Sequence, residues 1–253
     1  MHFGELDIPD AISAALKGRN LVIFVGAGVS KPKPSDLPMF DALAERIAVG
    51  TGMSRQVREI TSSNGDGKTA EMEPIDRFLG RLAKSGVKVK QLARDLLVGE
   101  HTRPNSLHEN LVRVFRDVAD VRIVTTNFDQ HLSTILNEVH KDHSAVYSAP
   151  ALPVGSDFSG LVYLHGSAVN DAERCVLTDE DFGRAYLTEG WARRFLVAMF
   201  ARFTVLFVGY SHNDPVMNYL ARGLPPDSRH RRFAFVPRGE EAHLLRPPLG
   251  LDR

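Results

Sequence analysis

The segment "LVIFVGAGV" (residues 21–29) joins five consecutive apolar residues to a turn that contains two glycines. An apolar run of this length, rich in Val, Ile and Phe, is typical of a strand buried on both faces of a sheet. Comparable runs follow at 121–126, 161–164, 204–209 and 232–236. Because these runs are continuous rather than alternating, they predict a parallel sheet.

Segments of helical character separate these runs. They place apolar residues three and four positions apart, at 41–50, 107–118, 128–139 and 191–203. Strands that alternate with helices are typical of α/β proteins. The sequence therefore predicts an α/β fold with a Rossmann-like, doubly wound parallel sheet.

The interval from about 50 to 105 has a different pattern. A polar, glycine-containing break at 61–74 predicts a loop, and two helical patterns follow at 75–86 and 89–99. No strand-like run is recognised there, so we expect a helical insertion that forms a wall or lid beside the sheet. Residues 1–253 are expected to form one domain. The C-terminal "PLGLDR" resembles the start of another element, which favours an N-terminal domain excised from a longer protein.

Composition excludes several classes of protein. The 253 residues carry 31 basic and 31 acidic groups, which argues against nucleic-acid binding by phosphate neutralisation. The longest apolar run is too short to span a membrane, and no signal peptide is evident. The single cysteine, Cys175, excludes an internal disulfide and a multi-cysteine zinc site. We expect a cytoplasmic protein that binds neither metal nor membrane.

The first strand is followed by a turn suited to phosphate binding. Gly26 and Gly28 allow a tight turn and close approach of backbone N–H groups to a phosphate. The usual dinucleotide fingerprint fails, since Lys31 occupies its third glycine position and prolines delay the next helix to about Met39. A P-loop is also excluded, because no Gly-Lys-Ser/Thr directly follows these two glycines.

Polar side chains follow the next two strands. Asn127 and Asp129 come after the run at 121–126, and His165 ends the run at 161–164. Asp129 also fits a helix N-cap, whereas the amide of Asn127 needs partners such as a ribose hydroxyl or a water. His165 taken alone is equally compatible with a hydrogen-bonded core histidine.

The fourth strand end completes the pattern. Gly209 permits close backbone approach there, and Ser211 offers a hydroxyl. Ligands of open α/β sheets bind beyond the carboxyl ends of the strands, so these four segments are predicted to converge on one edge. Their combination favours a nucleotide-sized site.

Together these motifs resemble those of a known family. "GAGVS" (26–30), "TTNFDQHL" (125–132), "YLHG" (163–166) and "VGYSHNDP" (208–215) occur in the order and spacing of sirtuin-like domains. They are most similar to the bacterial NAD-hydrolysing branch found in anti-phage defence proteins. "RPNSLHENLVRVF" (103–115) also resembles the Pro-x-x-x-His helix start of sirtuins.

The resemblance implies roles for individual residues, with NAD as the substrate and no metal. His165 would be the general base, and Asn127 and Asp129 would lie beside the nicotinamide ribose. The remaining positions would hold the phosphates, the ribose and the adenosine half: Gly26, Ala27, Gly28, Ser30, Thr126, Gly209 and Ser211.

Two departures from the protein deacetylases of this family decide which activity is expected. The four zinc-binding cysteines after the His-Gly motif are missing, and "SDLPMFDAL" (35–43) replaces an Asp-Phe-Arg stretch. We therefore expect an NAD+ glycohydrolase that releases nicotinamide and ADP-ribose. It would be the effector domain of an anti-phage system, acting as a homo-oligomer or with a sensor domain or subunit.

The sequence leaves two alternative functions open, and it contains further histidines outside these motifs. An NAD-dependent protein deacylase or ADP-ribosyltransferase is one alternative, and a module that binds NAD or ADP-ribose without cleaving it is another. His108 is interpreted as a helix-packing or hydrogen-bonded residue. His140 and His143 have a metal-like spacing but are interpreted as loop histidines, since no further ligand accompanies them.

Overall fold

A computed structural model of the chain describes residues 2–3, 6–61, 68–141, 145–210 and 232–235. The strands of this part are β1 (His2–Phe3), β2 (Leu6–Asp7), β3 (Leu21–Val25), β4 (Val57–Thr61), β5 (Lys68–Met72), β6 (Arg122–Thr125), β7 (Val146–Ser148), β8 (Gly160–Tyr163), β9 (Thr204–Val208) and β10 (Arg232–Ala234). The α-helices are α1 (Asp10–Lys17), α2 (Phe40–Ala48), α3 (Ile75–Lys84), α4 (Val89–Leu97), α5 (Ser106–Arg113), α6 (His131–His140), α7 (Asp179–Gly183) and α8 (Trp191–Arg202).

The main sheet contains six of the described strands in the order β10-β9-β3-β6-β8-β7. Every neighbouring pair is parallel, and Ile23 of the central strand β3 pairs with Ile123 on one side and Leu206 on the other. The chain leaves β3 toward β6 and later returns to β9 on the opposite flank. The predicted doubly wound parallel sheet is thus confirmed, and its topological switch point lies between β3 and β9.

The continuous apolar runs are explained by helices on both faces of this sheet. Along β3, Ile23 and Val25 belong to the apolar cluster that includes α1, α5 and α6. Val22 and Phe24 point the other way, into the cluster that includes α8. Successive side chains of a strand face opposite sides, so burial of both faces requires every residue to be apolar.

The interval between β3 and β6 carries a third apolar cluster of its own. Residues of α2, α3 and α4 such as Leu43, Phe78 and Val89 form it, together with Phe128, which follows β6. The two helices predicted at 75–86 and 89–99 are therefore present as α3 and α4.

The prediction that this interval contains no strand is wrong. β4 and β5 pair antiparallel as a hairpin, and β5 falls inside the segment predicted to be a loop. Val57 and Met72 remain 60% and 49% exposed, so the hairpin needs no continuous apolar run. Residues 62–67, between the two strands, lie outside the described part of the chain.

Short elements account for the other differences. β7 has only three residues, from exposed to half-buried, at the edge of the sheet, and it gives no apolar run. The helix predicted at 107–118 ends at Arg113, and a 3₁₀ turn at Val118–Asp120 leads into β6. Among the described helices, each is too short or too polar to cross a membrane.

Candidate active site

The carboxyl ends of β9, β3, β6 and β8 lie side by side, and we call this edge of the sheet the rim. Gly209 follows β9, residues 26–30 follow β3, Asn127 and Asp129 follow β6, and His165 follows β8. Adjacent strands are about 4.8 Å apart. The structure thus brings together the four strand ends selected from sequence, except for Ser211, which lies outside the described residues.

The glycine turns after β3 and β9 contact each other directly. The N–H of Gly28 donates to the carbonyl of Gly209 at 2.8 Å. Gly209 has a φ of +64°, and a Cβ built on it would lie 2.5 Å from the Val29 nitrogen. A 3₁₀ turn at Ala27–Val29, rather than an α-helix, follows Gly26. The contact between the two turns therefore requires glycine even without a ligand.

Ser30 is the centre of a buried hydrogen-bond network. Its hydroxyl donates to Asp129 Oδ2 at 2.8 Å and accepts from Asn127 Nδ2 at 3.2 Å. His108 Nε2 lies 3.1 Å from the same oxygen, while His108 Nδ1 accepts from the backbone N–H of Asn105. Since Nδ1 is an acceptor, the imidazole proton is on Nε2 and points to Ser30. The Ser30 hydroxyl thus uses its one proton and both lone pairs.

Asn127 is only partly satisfied by this network. Its Nδ2 donates to the Gly26 carbonyl at 3.2 Å as well as to Ser30. Its Oδ1 is buried and has no hydrogen-bond partner among the described residues. A buried carbonyl without a partner costs about 1–3 kcal/mol, so this oxygen is suited to accept from a water or a ligand hydroxyl.

Asp129 is held by hydrogen bonds to both of its carboxylate oxygens. Its Oδ1 accepts from the backbone N–H of His131, the first residue of α6. The N-cap of that helix is Gln130, one residue later than predicted, so the N-cap role predicted for Asp129 is wrong. Its Oδ2 accepts from Ser30. Both carboxylate oxygens are therefore held by groups of the protein.

Two neutral histidines flank the network. His108 is fully buried, and burial lowers its pKa to about 4, with a further lowering from His131 and an opposing effect from Asp129. Burial also lowers the pKa of His131, whose Nε2 contacts the Thr102 hydroxyl at 2.8 Å. The two rings meet edge to face at 5.1 Å. The interpretation of His108 as a hydrogen-bonded residue is confirmed.

His165 is buried at the end of β8, with 4% of its surface exposed. Its Nε2 lies 2.8 Å from the hydroxyl of Tyr186, and its ring packs edge to face against Phe182 at 5.3 Å. Sequence reasoning missed Tyr186, because no local pattern links it to a histidine 21 residues earlier. It also missed His131 and Thr102, although His131 stands two positions after Asp129.

The remaining predicted residues have mainly structural surroundings. Thr126 is half-buried, and its N–H donates to the Val25 carbonyl at 3.3 Å. Cys175 is buried beside the helices of the insertion, and burial raises its pKa to about 12. Within the described ranges, no three His, Cys, Asp or Glu side chains are grouped to hold a metal ion. His143 lies outside these ranges.

Comparison with known proteins identifies the family of the chain. The family described as "SIR2-like domain" matches residues 121–247, which include β6, β8 and β9 with the polar groups that follow them. The chain belongs to this family, whose domain is typically an NAD-dependent enzyme fold.

The particular relative found is a protein of Sinorhizobium fredii described as "Uncharacterized protein y4cA". It is 31% identical over 241 residues, which cover 89% of this chain. The chain spans only 19% of that relative's length.

Proposed function

We propose that this domain is an NAD+ glycohydrolase that acts in the cytoplasm as the effector of an anti-phage system. The observation that carries the proposal is the buried Oδ1 of Asn127, which has no partner among the described residues, while Nδ2 of the same amide is fixed at the rim by bonds to Ser30 and Gly26. Membership of the SIR2-like family supports NAD as the molecule that meets this oxygen. The defence role rests on the motif resemblance described above.

The rim has suitable groups for each part of NAD. The partly exposed turn at Ala27 and Gly28 is assigned to the phosphates, with Gly26, Ser30 and Thr126 around the ribose. Gly209 and Ser211 are assigned to the adenosine half. The carboxylate of Asp129, bonded to Ser30, is assigned to the side of the ribose on which positive charge develops.

The reaction breaks the bond between the nicotinamide nitrogen and the anomeric carbon of the ribose. The electron pair leaves with nicotinamide, positive charge develops on the ribose, and a water oxygen bonds to the anomeric carbon. His165 takes the proton of that water, while Asn127 Oδ1 accepts a hydrogen bond that orients the water or a ribose hydroxyl. A single positioned base contributes about 10²–10⁴-fold to such a rate.

The test measures nicotinamide and ADP-ribose released from NAD+ by the parent, His165→Ala and Asn127→Ala. Both variants are expected to lose about 10²-fold or more of the rate. Exposed residues provide matched controls, His101→Ala for the imidazole and Asn170→Ala for the amide, and these should keep the parental rate. Parental rates in both site variants would show that the reaction occurs elsewhere.

The products also separate the alternative functions. Loss of an acyl group from a peptide, or transfer of ADP-ribose to one, would favour a deacylase or transferase. Intact NAD+ with measurable binding would favour a binding module. The proposed homo-oligomer or sensor partner is tested separately, by the mass of the protein in solution with and without NAD+.

A further inference from the structure

Two aromatic side chains enclose His165, and we call Phe182 and Tyr186 the aromatic clamp. Their rings stack on each other at 6.1 Å with an interplanar angle of 16°. Both meet the imidazole edge to face, at 5.3 Å and 5.9 Å between ring centroids. The Tyr186 hydroxyl also reaches His165 Nε2 at 2.8 Å. The clamp therefore contacts both the ring and one nitrogen of the proposed base.

The clamp lies on an unusual helical turn. Phe182 is in α7, which continues into a π-helical turn at Arg184–Thr188 that carries Tyr186. π-helical turns are rare and occur frequently at functional sites. Phe182 and Tyr186 are four residues apart, so their side chains lie on the same face of this helical segment, which agrees with their stacked rings.

A buried ion pair fixes the clamp in place. Asp181, next to Phe182, accepts from Lys90 Nζ at 2.9 Å and from Arg184 at 2.7 Å. Its Oδ2 accepts from the hydroxyl of Thr178, the cap of α7. Lys90 belongs to α4, so the insertion holds the segment that contacts His165. Because Asp181 is held on several sides, it restricts the orientation of the adjacent Phe182.

We propose that Tyr186 is a positioning residue that fixes the ring orientation and tautomer of His165. A neutral imidazole has one N–H and one lone pair, and the hydrogen bond made by one nitrogen decides which of them carries the proton. The Tyr186 hydroxyl is a donor or an acceptor to Nε2, and the role it takes is coupled to the protonation state of Nδ1. Its effect on catalysis rests on the proposed role of His165 as the base.

The first test is spectroscopic and needs no activity. Imidazole ¹⁵N resonances of the full chain report the tautomer, and the His165 pair is identified as the one lost in His165→Gln. Tyr186→Phe keeps the stacked ring but removes the hydroxyl. The ¹⁵N shifts of Nδ1 and Nε2 of His165 should therefore change, because the hydroxyl no longer favours one tautomer. Tyr147→Phe removes a hydroxyl from another half-buried tyrosine of the same apolar layer and should leave them unchanged. Unchanged His165 shifts in Tyr186→Phe would overturn the proposal.

The second test separates positioning from binding. Tyr186→Phe should lower kcat for NAD+ by about 10–100-fold with little change in KM, because a misplaced base affects the chemical step. Shifted nitrogen resonances with parental kcat would also overturn the positioning role. If the parent and His165→Ala cleave NAD+ at the same rate, His165 is not the base, and if the parent cleaves none, the glycohydrolase proposal fails. In both cases the spectroscopic test alone decides what Tyr186 does.

Discussion

Ser30 and Asp129, 99 residues apart in the chain, are joined by a hydrogen bond of 2.8 Å between Oγ and Oδ2. This bond connects the loop after β3 to the loop after β6, and it fixes the direction of the only proton on the Ser30 hydroxyl. The lone pairs of that hydroxyl are then left for His108 and Asn127. The polar groups at this edge of the sheet are thus oriented without a ligand.

Replacement of Ser30 by alanine should remove the three hydrogen bonds made by its hydroxyl. The buried Asp129, His108 and Asn127 each lose a partner, so we expect a loss of about 1–3 kcal/mol in the free energy of unfolding. NAD+ cleavage should fall as well. Urea denaturation measures the first effect, and Ser106→Ala, at an exposed position of α5, is the control. Equal stability of the two variants would contradict the network.

The pKa of His108 predicts how stability depends on pH. The folded state has a pKa of about 4, below the ordinary value of 6.5, because the ring is buried. As the pH falls from about 6.5 to 4, the unfolded chain binds a proton at this residue and the folded chain does not. The free energy of unfolding should therefore decrease, by at most about 1.4 kcal/mol per pH unit for this group.

His108→Gln should make this decrease less steep than in the parent, as measured by urea denaturation at several pH values in that window. His101→Gln, at an exposed position, should keep the parental slope. Identical slopes in the parent and His108→Gln would show that the folded state also accepts the proton.

Gly209→Ala tests the contact between the two glycine turns. The new Cβ would meet the Val29 backbone in a conformation with positive φ, so we expect a loss of about 2 kcal/mol or more in stability. Gly183→Ala is the matched control, since a Cβ there has no neighbour within 4 Å. A neutral effect at position 209 would mean that the turns separate readily.

Lys90→Met tests the ion pair between the insertion and α7. Burial acts to raise the pKa of Asp181, but hydrogen bonds from Lys90 and Thr178 outweigh it and hold that pKa below its usual value. Removal of Lys90 leaves a buried carboxylate short of a partner, and about 3–5 kcal/mol is the typical cost. Arg184→Met removes a partner whose side chain is 52% exposed and should cost about 0–1 kcal/mol. Thermal unfolding of both variants compares the two costs.

The strands that sequence reasoning found best are those that are apolar on both faces. β3 was predicted at its observed bounds, because residues 21–25 are buried throughout and a glycine turn ends the run. β7 and the hairpin of β4 and β5 were missed for the opposite reason. Edge and surface strands keep polar or exposed residues, so their pairing depends on backbone hydrogen bonds that leave little trace in the sequence.

The sequence predicted those residues of the candidate site that the order of the strands alone brings together. Asn127, Asp129 and His165 follow strands that became neighbours, and the rule for ligands of α/β sheets requires no knowledge of side-chain contacts. The contacts of Tyr186 and Thr102 depend instead on how helices pack onto the sheet. Such contacts are set by the tertiary structure, and single residues give no local indication of them.

The pairing of Leu21 in β3 with Thr204 in β9 has a consequence for synthesis of the protein. A ribosome completes the central strand well before one of its two neighbours, which emerges about 180 residues later. The Gly28 to Gly209 contact cannot form in a nascent chain that stops short of residue 209. A translating chain therefore lacks one side of the rim until β9 is made, and premature termination before that strand yields a product without a complete candidate site.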